Sequence, residues 1–152
     1  MIKKILLVLA GVLIVIQFIR PAENHNTNIT AQDITRMFPV SDSVHTILEK
    51  ACNDCHTNST RYPWYNRIQP VAWWLAYHVN GGKKHLNFSE FGSYPKAKQV
   101  KRLKGIAKEV TEGGMPLDSY LWIHKDAVLT EDEKQVLINW ANGLGVMAAE
   151  RK

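Results

Sequence analysis

The five residues Cys52-Asn-Asp-Cys55-His56 limit this chain more than any other feature. They hold both cysteines of a 152-residue sequence. C-x-x-C-H is the spacing of covalent c-type haem attachment. Two thiols separated by two residues at a helix end can add to the two vinyl groups of one porphyrin edge. The next residue is then held beneath the iron, so His56 can offer an imidazole nitrogen as proximal ligand. A chain that uses the motif in this way presents it at a helix end and wraps the rest of its small domain around the ring.

Other uses of the pair fit less well. A thioredoxin-like dithiol expects a preceding strand, and no strand pattern precedes Cys52. A structural zinc site needs four ligands, and only Cys52, Cys55 and dispersed histidines are present. A disulfide across the pair leaves His56 without a role. Two cysteines are also too few for a disulfide scaffold.

The start of the chain reads as an address. Lys3 and Lys4 precede an uncharged run over residues 5–19, broken only by the polar Gln17. A positive start followed by an apolar stretch is the layout of a Sec-type segment. As a helix the run spans roughly 22 Å, short against a hydrocarbon core of about 30 Å. It ends in Arg20-Pro21-Ala22 without a small-residue cleavage pair. The expectation is therefore an uncleaved single-pass anchor, with the lysines cytoplasmic and the remainder on the periplasmic side of a bacterial inner membrane. The alternative is a cleaved signal that leaves a soluble periplasmic protein. The implied organisation is an anchor or signal over residues 1–22, a polar linker over 23–38 and a haem-binding domain over 39–152. A formal net charge of +5 is mild and gives no indication of nucleic acid.

The remaining pattern is helical. Ser41 or Asp42 can cap a helix through Val44, Ile47 and Leu48 toward Ala51. Pro70 suits a first helical residue, followed by VAWWLAYHV and stopped by Gly81 and Gly82. Pro95 opens a longer helix with a stripe of Val100, Leu103, Ile106, Ala107 and Val110, ended by Gly113 and Gly114. Thr130 and Glu133 form a capping box for a last helix carrying Val136, Leu137, Trp140 and Leu144, with Gly143 at its end. Residues 57–69 and 85–94 are long, aromatic-rich connections of the kind that wrap something. The expected fold is all-α: a small cytochrome-like helical domain around one covalent haem, after an N-terminal hydrophobic helix.

A haem iron held by His56 takes a second axial ligand or keeps an open position. Met115 is the candidate, because Gly113-Gly114-Met115-Pro116 forms a non-helical turn between two predicted helices. The glycines permit close backbone approach and Pro116 stiffens the segment. Methionine opposite histidine favours reduced iron and raises the potential. His78, at the end of an aromatic run, is the alternative ligand and would give a lower-potential bis-histidine centre. Trp64, Trp73, Trp74, Trp122 and Trp140, with Tyr62, Tyr65 and Tyr120, are expected as core and pocket wall. Arg61, Arg67, Asn58 and Asn66 are candidate partners for the propionates. The basic helix after Pro95, with Lys96, Lys98, Lys101, Arg102, Lys104 and Lys108, reads as a solvated face that can also steer an acidic redox partner.

From Cys52 to Trp140 the chain resembles the small c-type cytochromes. It is more closely similar to a family of anchored bacterial haem-binding domain proteins. The resemblance is carried by C-N-D-C-H-T-N at 52–58, Y-P-W-Y at 62–65, I-Q-P-V at 68–71, His78-Val79, L-N-F-S at 86–89 and Gly114-Met115-Pro116. It implies haem attachment at Cys52 and Cys55, axial ligation by His56 and a distal ligand at Met115. The long insert over residues 57–94 departs from a minimal cytochrome. The expected activity is one-electron transfer with unidentified redox partner proteins, and no enzymatic bond-making. The alternative is a five-coordinate or labile-ligand haem protein, acting as a gas or redox sensor or as a peroxidase-associated module.

Overall fold

The computed structural model describes residues 1–151. Helix α1 covers Ile2–Ile16 and buries none of its residues. No helix of the described residues is long and apolar enough to cross a membrane. A short α2 (Ile34–Met37) follows, capped by the Asp33 carboxylate, which accepts from the Thr35 N–H at 2.9 Å. Next come α3 (Asp42–Ala51) and α4 (Asn53–His56), separated by a backbone break at Cys52. After a 3-10 turn at Trp64–Arg67, α5 runs over Val71–His85. A second 3-10 segment at Phe88–Ser93 leads into α6 (Lys96–Glu112). A one-turn α7 (Asp118–Leu121), a 3-10 turn at Lys125–Ala127 and the long α8 (Glu131–Glu150) complete the chain. The only strand-like pairing among the described residues is an isolated bridge between His25 and Ser59. The architecture is all-helical.

The strongest sequence signals are where the helices begin. Ser41 caps α3 through the Val44 N–H, and Thr130 and Glu133 make both bonds of the capping box at α8. Each satisfies donors that the first helical turn leaves free. The end of α6 also follows expectation. Gly113 adopts φ +73°, a left-handed conformation open to glycine, and the chain reverses there.

Two glycine signals do not end helices. α5 continues through Gly81 and Gly82 to His85, and α8 continues through Gly143 and Gly145 to Glu150. The reason at Gly82 is packing. A Cβ there would lie 2.5 Å from the Cys55 carbonyl oxygen. Glycine in α5 thus lets α4 approach, at a propensity cost of about 1 kcal/mol relative to alanine.

The core lies between α6 and α8, which pack along each other over most of their length, with α3 against α8. Leu103 and Val110 of α6 meet Leu137 and Leu144 of α8, joined by Val44, Ile47 and Leu48 of α3. Phe91 is fully buried and sits edge-on to Phe38, with ring centroids 6.2 Å apart. Burial of each such side chain contributes about 1.5–3 kcal/mol. Residues 23–38, read from composition as a linker, carry contacts of their own. Ile34 is 1% exposed within this core. Asn24 donates to the Thr57 carbonyl and the Thr60 hydroxyl, each at 2.9 Å.

Candidate functional site

The break between α3 and α4 falls at Cys52, so the motif begins where one helix stops and Asn53–His56 make a single further turn. This turn rests on α5. Neither cysteine is in a disulfide. Burial pushes the Cys52 thiol up to about 12 and the Cys55 thiol up to about 11, so both stay protonated at neutral pH. The His56 ring is turned by a bond from Nδ1 to the Leu86 carbonyl at 2.9 Å. A carbonyl only accepts, so Nδ1 carries the proton and Nε2 keeps its lone pair. Burial lowers the His56 pKa, which also favours the neutral ring. A ring held through one nitrogen with the other left free is an imidazole prepared for a metal.

Asp54, between the two cysteines, is buried and ties the motif to its surroundings. One carboxylate oxygen accepts from the Arg61 backbone N–H at 3.1 Å and from Arg61 Nε at 3.2 Å. The other accepts from the Tyr120 hydroxyl at 2.8 Å. Burial and that bond raise the Tyr120 pKa.

These residues border a cavity of about 800 Å³ with a mainly apolar wall, within the range of about 300–1,000 Å³ typical of small-molecule and cofactor sites. Cys52, Cys55, His56 and Met115 all line it, and so does the alternative ligand His78. α6 contributes Arg102, Gly105, Ile106, Glu109 and Val110 from one helical face. Gly81 and Gly105, both in the lining, have open space where a side chain would stand, with no atom from outside their own helix backbone within 4 Å of a built Cβ. Met115 reaches the cavity from the turn after α6. Its N–H donates to the Glu109 carbonyl at 3.2 Å, beside the Gly114 N–H at 2.8 Å. A Cβ at Gly114 would run into the Glu109 carboxylate. Met115 itself is 37% exposed. The His78 ring is packed edge-on to Trp74, at a centroid distance of 4.6 Å, and to Tyr77.

Several expected pocket residues lie elsewhere. No tryptophan lines the cavity, and among the tyrosines Tyr77 and Tyr120 do, whereas Tyr62 and Tyr65 do not. Trp64 and Trp122 are strongly exposed, and the Trp140 indole donates to the Pro39 carbonyl. The aromatic rings in the lining are those of Tyr77, Phe88 and Tyr120, with the imidazoles of His56, His78 and His85. The four proposed propionate partners are also absent from the lining. Arg61 is occupied by Asp54 and the Glu49 carbonyl, Asn58 by Glu90 and Asn87, and Asn66 by Glu23. The Arg67 carbonyl accepts from Arg20, and its guanidinium lies outside the cavity.

The cation at the cavity is Arg102, with Lys84 beside it in the lining. Arg102 Nε is the one buried side-chain polar atom among the described residues without a hydrogen-bond partner. An unpaired buried donor costs about 1–3 kcal/mol and more when charged, a cost that an anionic group in the cavity would relieve. Sequence reading placed Arg102 on a solvated basic face. Its spacing of three and four from Gly105 and Ile106 is the signal that could have moved it to the cavity side. The free thiols, the imidazole with its free Nε2, the mainly apolar wall and this unmatched cation together fit a largely apolar cofactor that carries a metal and an anionic group. Among the described residues no group of three or more His, Cys, Asp or Glu side chains is arranged to hold a metal ion by itself.

The model of a family described as the haem-binding domain matches residues 11–143, and the chain belongs to that family. No curated protein and no solved structure matches it.

Proposed function

We propose that this member of the haem-binding domain family is a monohaem c-type cytochrome that carries single electrons on the periplasmic side of a bacterial inner membrane. The observation that carries the reading is convergence. Cys52, Cys55 and His56 from the α3–α4 junction and Met115 from the turn after α6 line the same cavity. The chemistry supplied by bound haem c is reversible one-electron exchange at iron. The chain's own residues supply the rest. Cys52 and Cys55 would hold the group by thioether bonds, each S–H going whole across one vinyl double bond so that no electron is gained or lost. The Leu86 carbonyl holds His56 with Nε2 free to ligate. Met115 would offer its thioether sulfur to the iron, and Arg102 and Lys84 would offer cations to the propionates.

A carrier makes and breaks no substrate bond, so the proposal is of a partner-binding protein and not an enzyme. Lys101, Lys104 and Lys108 are exposed on α6, the helix that also lines the cavity through Arg102, Gly105 and Glu109. A basic rim of this kind suits acidic redox partners, with a rate that falls as salt rises. The N-terminal segment serves as the membrane anchor in this reading.

A labile-ligand sensor or peroxidase-associated module is the second reading. It is favoured by the exposure of Met115 and by the presence of His78 on the same cavity. The test is expression with a c-type maturation system, followed by denaturing electrophoresis, haem staining and absorbance. Colour that stays with the polypeptide and a methionine-to-iron charge-transfer band in the ferric protein are expected. A colourless band rejects covalent attachment. A high-spin ferric spectrum rejects the six-coordinate carrier in favour of the second reading.

A further inference from the structure

Residues 17–20 are fastened to the domain by five hydrogen bonds. Gln17 and Gln69 pair reciprocally, with the Gln69 N–H donating to Gln17 Oε1 at 2.9 Å and Gln17 Nε2 donating to the Gln69 carbonyl at 3.3 Å. The Ile19 carbonyl accepts from Gln69 Nε2 at 2.8 Å and from the Trp73 indole at 2.9 Å. Arg20 donates to the Arg67 carbonyl at 3.2 Å. The single polar side chain of the apolar run is therefore consumed at its foot, and the direction of the run relative to the domain is set by Gln69, which is buried.

Around this foot the domain exposes apolar and aromatic surface. Trp64 is 76% exposed, Ile68 45%, Trp73 38% and Trp74 43%. Arg20 and Arg67 stand in the same place, both exposed. Tryptophan with arginine at one level is the composition of a membrane–water interface. The opposite end of the run carries Lys3 and Lys4. The dimensions agree. Helix α1, with 15 residues over Ile2–Ile16, covers roughly 22 Å of a hydrocarbon core of about 30 Å. Apolar groups seated at an interface reach about 5–10 Å into the headgroup and acyl boundary, which matches the deficit.

We infer that Trp64, Ile68, Trp73 and Trp74 form a collar that seats the domain directly on an anionic phospholipid bilayer around the foot of the N-terminal helix. The inference rests on the membrane-anchor reading of that helix. The haem cavity is thereby held at a fixed height above the lipid, since α5 carries both the collar residues Trp73 and Trp74 and the cavity residues Tyr77 and His78.

The test uses the full-length, haem-loaded chain in vesicles of phosphatidylethanolamine and phosphatidylglycerol, doped with a phospholipid bearing a diazirine near its headgroup. After photolysis, lipid adducts are mapped by mass spectrometry. Adducts are expected on residues 5–19 and also on residues 61–77. In a Trp64→Gln, Ile68→Gln variant the adducts on 61–77 are expected to fall while those on 5–19 persist, with an unchanged haem spectrum as the check on folding. Adducts confined to 5–19 overturn the collar and leave the anchor standing. No adducts anywhere overturn both. Chain-to-chain cross-links at 61–77 in place of lipid adducts assign the face to a second copy and overturn the inference. Unchanged adducts in the variant remove Trp64 and Ile68 from the collar.

Discussion

The wall that carries Cys52, Cys55 and His56 is helix pressed against helix, whereas the wall that carries Met115 is a turn braced by backbone bonds to Glu109. On the first wall Gly82 of α5 lies so close to Cys55 that a single added carbon would collide, and Leu86 fixes the imidazole. On the second, Met115 is 37% exposed and follows a left-handed glycine. The two differ in how much they can yield. A ligand set by packing resists change because interiors are close-packed, while a ligand on a turn can adjust at little cost to the fold. On the proposed function, the His56 side would set where the haem sits and the Met115 side would tune what its iron does.

The largest test of this contrast removes the fixed wall's chemistry. A Cys52→Ser, Cys55→Ser variant is expected to lose all haem colour from the denatured polypeptide; stain that survives would refute attachment at these sulfurs. Gly82→Ala tests packing without touching a ligand. Its Cβ would meet the Cys55 carbonyl at 2.5 Å and the Cys55 Cβ at 3.0 Å. Overpacking of this kind costs about 1–3 kcal/mol, read as a lower urea midpoint and a lower yield of haem-loaded protein. A wild-type midpoint would mean that α4 and α5 are less tightly joined than the contact implies.

Met115→Leu should do the reverse. The stability change is expected to stay under about 1.5 kcal/mol, as for other volume-conserving swaps, while the charge-transfer band disappears and the reduction potential falls. Retention of the band together with its loss in His78→Phe would transfer the distal role to His78. The smallest effect concerns the tie between the proximal wall and the core, where Lys50 of α3 meets Glu133 of α8 at 2.6 Å. Glu133→Gln keeps the capping-box geometry and is expected to cost under about 1 kcal/mol near neutral pH. The Lys50 hydrogen bond and the Thr130 N–H hold the Glu133 carboxyl below its ordinary value. That stabilisation is full above the ordinary glutamate pKa and is lost as pH falls through the lower native value. Wild type and variant should therefore converge in acid unfolding curves, and a gap that widens on acidification would contradict the pairing.

Features set within one helical turn were readable in advance: the Ser41 cap, the Thr130–Glu133 box, the reversal at Gly113 and the end of α3 before Cys55. Features set by distant parts of the chain were not. Gly82 looks like a terminator in its own neighbourhood, and only the approach of Cys55 reveals it as a packing residue. Arg61 looked free for a propionate because its partner Asp54 belongs to the motif itself. Arg102 looked solvated because five lysines surround it in α6, yet its Nε is buried at the cavity. Size alone points the tryptophans inward, yet Trp64, Trp73, Trp74 and Trp122 are exposed. In each case the deciding neighbour lies beyond the helical turn that carries the residue.

Asp54 occupies a place that motif notation writes as a blank. Its carboxylate nevertheless accepts from the Arg61 backbone N–H on one oxygen and from the Tyr120 hydroxyl on the other. Evolutionary drift at this spacer is accordingly constrained in pairs. Relatives that replace the acid should replace the phenol as well, and a collection of such sequences would show the two letters changing together.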